Sequence, residues 1–160
     1  VADVAAEHAA AKHGHWIGAI IEIRQIAGDD PDFAACFQIR LDVFVGEQNV
    51  PLEEERDEYD AAALHFLAFY EGKPAGTARV ILLDGAAKIT RVAVLKFARG
   101  RGIGVALMRH IETALPGRRF VLDAQVHALA FYESLGYAAY GEVFMEAGIA
   151  HRRMAKDLAR

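Results

Sequence analysis

The stretch Arg99-Gly100-Arg101-Gly102-Ile103-Gly104 constrains this chain more than any other part of it. It follows an apolar, strand-like run at residues 89–95 and opens a helix that carries Ile103, Leu107, Ile111 and Leu115 on one face, stopping at Pro116-Gly117. A strand that turns on glycine into a helix aims a row of backbone N–H groups, and the positive end of the helix, at whatever sits in the turn. A phosphate is the natural guest. A side chain at Gly102 or Gly104 would stand between that phosphate and the backbone donors, although close packing of helix on sheet is a second reason for glycine there. Arg99 and Arg101 add positive charge and a fork of donors suited to phosphate. No Gly-Lys-Ser/Thr follows the glycines, which argues against an ATP-binding loop of the Walker type.

The remaining patterns place this junction inside an α/β domain. Ile17, Ala19, Ile21 and Ile23 alternate with polar residues and predict a first strand. Asp30-Pro31 then suggests a helix start, with Phe33, Phe37, Leu41 and Phe44 on one stripe that packs on a sheet. Residues 61–70 and 73–83 read as strands joined by a tight Glu71-Gly72 turn, and Asp84-Gly85 repeats the signal before residues 88–95, which gives a three-stranded antiparallel meander. A short buried strand at 120–122, a helix at 128–135 and a final strand at 143–154 complete the reading. Helices therefore cover a mixed, mostly antiparallel sheet.

At 160 residues the chain suits one domain. Residues 1–15, rich in alanine with scattered His and Lys, read as a flexible tail, and residues 16–160 as the single domain. The longest apolar run near the start is broken by Glu22 and Arg24, so neither a membrane span nor a signal peptide is expected and the cytoplasm is the default location. The lone Cys36 sits beside Phe33 and Phe37 and reads as a buried, inert thiol, and no metal site is expected. The net charge of −4 is uneven: the segment from Glu47 to Asp60 holds seven acids against the single base Arg56. What remains, 17 of the 18 basic and 15 of the 22 acidic residues, is slightly basic and offers no patch for nucleic acid. The acidic segment is too charged for a core and reads as a solvated loop with a helical turn, or as a rim that attracts a cationic amine. Arg79 and Arg91 lie within otherwise apolar strands, where an unpaired guanidinium is costly, so each is expected to pair with loop carboxylates such as Asp57 or Asp60.

A second informative segment, Ala130-Phe131-Tyr132-Glu133-Ser134-Leu135-Gly136-Tyr137, lies about thirty residues beyond the glycine turn. With both segments in view, the chain resembles the GNAT superfamily of acyl-CoA-dependent N-acetyltransferases: Arg99, Gly102 and Gly104 fit its pyrophosphate-loop pattern, and Phe131-Tyr132 fits its late helix, where a tyrosine faces the cofactor sulfur. Glu47-Gln48-Asn49-Val50-Pro51, Gly76-Thr77-Ala78-Arg79, Arg91-Val92-Ala93-Val94, Ala124-Gln125-Val126-His127 and Glu146-Ala147-Gly148-Ile149 with His151 look like the branch of small bacterial acetyltransferases related to ElaA, over roughly residues 18–155. The resemblance implies a GNAT-like α/β fold in which two neighbouring strands, at 89–95 and 120–124, run parallel and splay apart around pantetheine. It implies acetyl-CoA held by Arg99, Gly100, Arg101, Gly102, Ile103 and Gly104, by the main chain of Val92, Ala93 and Val94, and by Phe131 and Tyr132. A backbone N–H near Val94 would hold the thioester oxygen.

The implied reaction is acetyl transfer to a primary amine of a small molecule or peptide by direct attack. Tyr132 is the candidate acid for the departing thiolate, because a phenol stays protonated at neutral pH, although a core-facing aromatic is the plainer reading of the same residue. An ammonium has no lone pair, so a base is also sought: His151 first, then His65, with Glu146 and Glu47 as carboxylates that could act through water. His65 equally suits a satisfied histidine within the sheet. A non-catalytic acyl-CoA sensor or interaction domain is the alternative from another class. Tyr137, Tyr140, Val143, Phe144 and Met145 suggest a homodimer packed through the last strands, or else a well-filled core.

Overall fold

The computed structural model describes residues 20–158. The tail at 1–15, with Ile17 and Ala19 of the expected first strand, lies outside them. Within them β1 (Ile21–Ala27) leads to α1 (Phe33–Arg40), which runs on as a π-helical turn at Leu41–Glu47, and then to the single turn α2 (Leu52–Glu55). Next come β2 (Leu64–Tyr70), β3 (Lys73–Leu83), β4 (Ala86–Val94), α3 (Ile103–Ala114), β5 (Arg119–Gln125), α4 (Leu129–Ser134), β6 (Ala138–Glu146) and β7 (Ile149–Asp157). The strands form one sheet in the order β1-β2-β3-β4-β5-β7-β6. Its one parallel pair is β4 with β5, and helices flank it on both faces.

Strand alternation divides the core in two. Phe66, Ala68, Ala78, Val80, Val92 and Val94 pack with Ile103, Leu107, Met108 and Ile111 of α3 and with Phe131 and Tyr132 of α4. Leu67, Ala93 and Ile26 face the other way and meet Phe33, Cys36, Ile39, Val43 and Phe44. Period two in the strands supplies both faces, and each helix covers one of them. Gly76 permits the close approach of α3: a Cβ there would lie 2.9 Å from Ile103 Cγ2 and 3.1 Å from the Ala93 carbonyl.

Four expectations change. The meander has four strands, because β1 pairs with β2 ahead of the three expected. The stripe of α1 runs through Phe33, Cys36, Ile39 and Arg40 and on to Val43 and Phe44, while Phe37 and Leu41 are only half-buried; the π-helical turn rotates the face away from 3.6-residue spacing. The final strand is a hairpin, β6 and β7, turning at Ala147-Gly148 with Ala147 at φ 51° and Gly148 at φ 75°. The acidic segment is not simply solvated, since Glu55 and Asp60 are among the most buried polar residues described.

Candidate active site

The site begins as a defect in β4. Pairing of β4 with β5 ends at Ile89 and Leu122, and pairing with β3 shifts register between Thr77 and Arg79, so that Arg91 and Val92 together oppose Ala78. Arg91 sits in this bulge at φ 54°, a left-handed conformation costly for a side chain of its size. A bulge sharpens the local twist, and here it directs Val92, Ala93 and Val94 away from β5, opening the wedge. The Leu95 N–H bonds the Ala75 carbonyl at 2.7 Å on the β3 side. Alternation along the strand therefore turns the N–H and C=O of Val94 toward the wedge.

Beyond the strand, the glycine turn has the geometry that an anion requires. Gly100 (φ 77°) and Gly102 (φ 84°) are both left-handed, and Gly102 caps α3. The N–H groups of Ile103, Gly104 and Val105 precede the first intrahelical bond, from Ala106 to the Gly102 carbonyl. These residues fit a pyrophosphate at the start of α3. The Ile103 side chain is fully buried, so it contributes main chain only. Arg99 does something unforeseen. Its Nε donates to the Val94 carbonyl at 3.1 Å and its Nη2 to both Glu47 oxygens at 2.8 and 2.9 Å, bracing the turn against the end of the π-helical segment. Arg101 is exposed, with its guanidinium 6.0 Å from the Tyr70 ring centre.

A cavity of about 320 Å³ opens beside the wedge, lined from α1 to β7 and including Val92, Gln125, Tyr132, Glu146 and His151. Tyr132 belongs to the core on the α4 face and reaches the cavity through the opening between β4 and β5. Burial pushes its phenol well above the ordinary tyrosine range, so it is protonated at neutral pH. Its ring meets Phe131 and Tyr137 edge to face at 5.0 and 6.1 Å. Phe131 is itself fully buried in the core and does not line the cavity.

His151 is not at an exposed strand end, as its place in the sequence suggested, but buried between β5 and β6, opposite Gln125 and Phe144. Its Nδ1–H donates to the Ile149 carbonyl at 2.7 Å, which leaves the Nε2 lone pair available in the neutral ring. Nε2 lies 4.0 Å from Glu146 Oε2, and the ring stacks on Phe144 at 5.7 Å. The other two candidate bases are elsewhere. His65 lies in the core against Phe33, donates from Nε2 to the Asp60 carbonyl at 2.8 Å, and burial pushes its pKa down. Glu47 is held by Arg99 and does not line the cavity.

The acidic segment becomes one wall of the site by pairing with arginines. Arg79 binds Asp57 and Asp60 through Nη1 at 2.6 and 2.8 Å, as anticipated, and Arg91 binds Glu55 at 3.1 Å and Asp57 at 3.4 Å. At the centre stands Arg40, only 1% exposed, bonded to Glu55 Oε1 and Asp60 Oδ1, both at 2.8 Å, and to the Glu55 carbonyl at 2.6 Å. Burial alone would raise the Asp60 carboxyl, but the hydrogen bond and charge of Arg40, joined by Arg79, bring it down to about 2. At Asp57, too, burial works upward and is outweighed, chiefly by Arg79, so that its carboxyl is lowered. Sequence reasoning missed Arg40 as a partner, and it missed the reciprocal amide pair of Gln48 and Gln125, at 2.9 and 3.3 Å, which ties the end of the π-helical turn to β5 at the cavity. Three of the seven acids are thereby paired inside the wall and Glu47 is held by Arg99, which leaves Glu53, Glu54 and Glu58 as the exposed remainder of the solvated loop or rim expected there.

Known proteins share this architecture. The acetyltransferase (GNAT) domain profile matches residues 34–158. The uncharacterized N-acetyltransferase YjcF of Bacillus subtilis is 39% identical over 136 residues, 82% of this chain and 97% of that protein. ElaA of Escherichia coli is 33% identical over 132 residues, 78% of this chain and 86% of its own length. The crystal structure of ElaA superposes with a TM-score of 0.76 at 29% identity, covering 86% of this chain and 100% of that one. An acyl-CoA N-acyltransferase from Pseudomonas aeruginosa gives the same TM-score and identity over 86% of this chain and 99% of that one. With a profile match over most of its length and a relative 39% identical over 82% of it, the chain belongs to the GNAT acetyltransferase family.

Proposed function

We propose that the protein transfers an acetyl group from acetyl-CoA to the primary amine of a small molecule or peptide in the cytoplasm, by direct attack of the amine on the thioester. The observation that carries this reading is the meeting of Tyr132, His151 and Glu146 at one cavity where β4 leaves β5. Acetyl-CoA supplies the activated acyl group. On the protein's side, the amides of Ile103 and Gly104, with the left-handed turn at Gly100 and Gly102, cradle the pyrophosphate, and Arg101 adds charge beside them. The backbone of Val92 and Val94 faces the pantetheine arm, while Ala93, whose main chain pairs with Thr77 of β3, only holds the strand in place, and the Val94 N–H stabilises the developing oxyanion. His151 Nε2 takes the proton of the incoming ammonium, with Glu146 holding the cation beside it. Tyr132 gives its proton to the departing thiolate. Arg99 acts on this machinery by bracing Val94 and the turn.

Calorimetric titration with CoA and an assay of CoA release across a panel of amines test the proposal. Submillimolar CoA binding that is abolished in Gly102→Trp, together with amine-dependent CoA release, is expected. Binding without release for any amine or peptide favours an acyl-CoA sensor instead. The proposal includes a homodimer through the edge strand β6, where Tyr140, Val143 and Met145 are 45, 56 and 65% exposed; Tyr137 fills the core and Phe144 packs on His151, so neither belongs to that surface. A mass near the 17.5 kDa of one chain, unchanged with concentration, removes the dimer.

A further inference from the structure

We infer that the acceptor is a compact zwitterion of the amino-acid type, its amine attacking at the His151 end of the cavity and its carboxylate held by Arg79 and Arg91 at the other. The inference rests on the acetyl-transfer reading above and adds the acceptor's chemical class. Each guanidinium has five N–H donors, and the carboxylate network uses only some of them. Arg79 commits Nε to Thr90 Oγ1 at 2.9 Å and Nη1 to Asp57 and Asp60. Arg91 commits Nε to Glu55, and Nη2 to Asp57 and to the carbonyls of Glu54 and Glu55. Neither Nη2 of Arg79 nor Nη1 of Arg91 has a hydrogen-bond partner among the described residues, yet both residues line the cavity and the Arg79 side chain is only 3% exposed. Both edges keep contact with solvent in the cavity, the Arg91 side chain being 26% exposed, and a guest that brings oxygen atoms replaces that water with charge-assisted hydrogen bonds. Planar guanidinium edges match a carboxylate best.

The opposite end of the cavity has the opposite character. Glu55 and Asp57 are taken by arginines, and Asp123 faces Lys88 at 3.4 Å. Of the lining carboxylates without a Lys or Arg partner among the described residues, Glu54 is exposed at the rim on the Arg91 side, and Glu146 lies beside His151. In the sheet order β4, with Arg91, is separated from β7, with His151, by β5. Two paired-strand spacings set a lower bound of about 10 Å between the two ends at the backbone, and the splay of β4 from β5 beyond Ile89 widens it. Space for a molecule of modest size, a donor edge at one end and a carboxylate with an imidazole at the other select an amine that carries its own anion. A polyamine or aminoglycoside would set a second cation against the guanidinium edges.

CoA release is measured with acetyl-CoA and a series of α- and ω-amino acids, their amides, and diamines of matching length. The best amino acid is expected to exceed both its amide and its diamine in kcat/KM by at least about tenfold, and Arg91→Gln to narrow that preference by raising KM for the amino acid by a larger factor than KM for its amide. An amide or diamine used as well as the amino acid overturns the acceptor class and leaves acetyl transfer standing, as does a preference undiminished in Arg91→Gln. Release with no amine at all overturns the transfer reading itself, and the acceptor class with it.

Discussion

Replacing Arg40 by alanine is expected to be the most destabilising single change in the acceptor wall, and the structure indicates how large and how pH-dependent the loss will be. The guanidinium is 1% exposed and bonds Glu55 Oε1, Asp60 Oδ1 and the Glu55 carbonyl at 2.6 to 2.8 Å. Its removal leaves two nearly buried carboxylates with one guanidinium each, Arg91 for Glu55 and Arg79 for Asp60. Breaking a buried ion pair from one side costs about 3–5 kcal/mol, which for a domain of this size lowers Tm by about 6–20 °C. Lysine in its place keeps the charge but cannot reach both acids in one plane, so it recovers less than half. The acid limb supplies the sign. The Asp60 carboxyl is lowered from 3.8 to about 2 in the fold, so it contributes about 2.5 kcal/mol at neutral pH. That contribution is complete above about pH 4 and is lost as pH falls toward 2, with about 1 kcal/mol remaining at pH 3. In Arg40→Ala the carboxyl returns toward its ordinary range, and the difference between the two proteins should shrink by about 1 kcal/mol from pH 7 to pH 3. Urea unfolding at both pH values, with equal m, measures this. A loss under 1 kcal/mol at pH 7, or a difference that does not change with pH, refutes the assigned role of the network.

The remaining predictions concern single atoms. Tyr132→Phe should lower kcat at least tenfold with CoA affinity unchanged, by single-turnover kinetics and calorimetry; an unchanged kcat removes the phenol from proton delivery. His151→Gln should lower kcat/KM at least tenfold, whereas full activity at every pH from 6 to 9 dismisses it as the base. Gly28→Ala should cost about 1–3 kcal/mol in thermal unfolding, because the new Cβ would collide with the Asp60 carbonyl and come within 2.6 Å of the Ala61 carbonyl, both backbone atoms; wild-type stability would mean that the two loops separate easily.

Legibility in the sequence followed the range of the interactions involved. The glycine turn was readable because its parts are adjacent: an apolar strand, glycines at the two left-handed positions and an amphipathic helix all lie within about thirty residues, and each is a local property of backbone or side-chain period. The meander was readable for the same reason, its turns being Glu71-Gly72 and Asp84-Gly85. The bulge at Arg91 was not. Nothing in Thr90-Arg91-Val92 marks a positive φ, and the guanidinium is taken up by Glu55 and Asp57, more than thirty residues earlier.

The acidic segment shows how a correct local premise placed most of its side chains in solvent, as found, and misplaced Glu55 and Asp60. Seven acids within fourteen residues cannot be buried as such, and the premise that an isolated buried charge is prohibitive is sound. It does not apply where guanidinium groups converge, and here they come from three elements: Arg40 from α1, Arg79 from β3 and Arg91 from β4. Expecting Arg79 and Arg91 to need partners identified half of the network; the other half required knowing that α1 ends above β3 with Arg40 pointing inward. The consequence reaches the chemistry. Once these acids are neutralised they no longer attract a cation, and the guanidinium edges they leave over face the cavity instead. On the acceptor proposed above, the charges that read as a rim for a cationic amine become a support for two donors that a polyamine cannot use, through pairings that lie 15 to 36 residues apart in the chain.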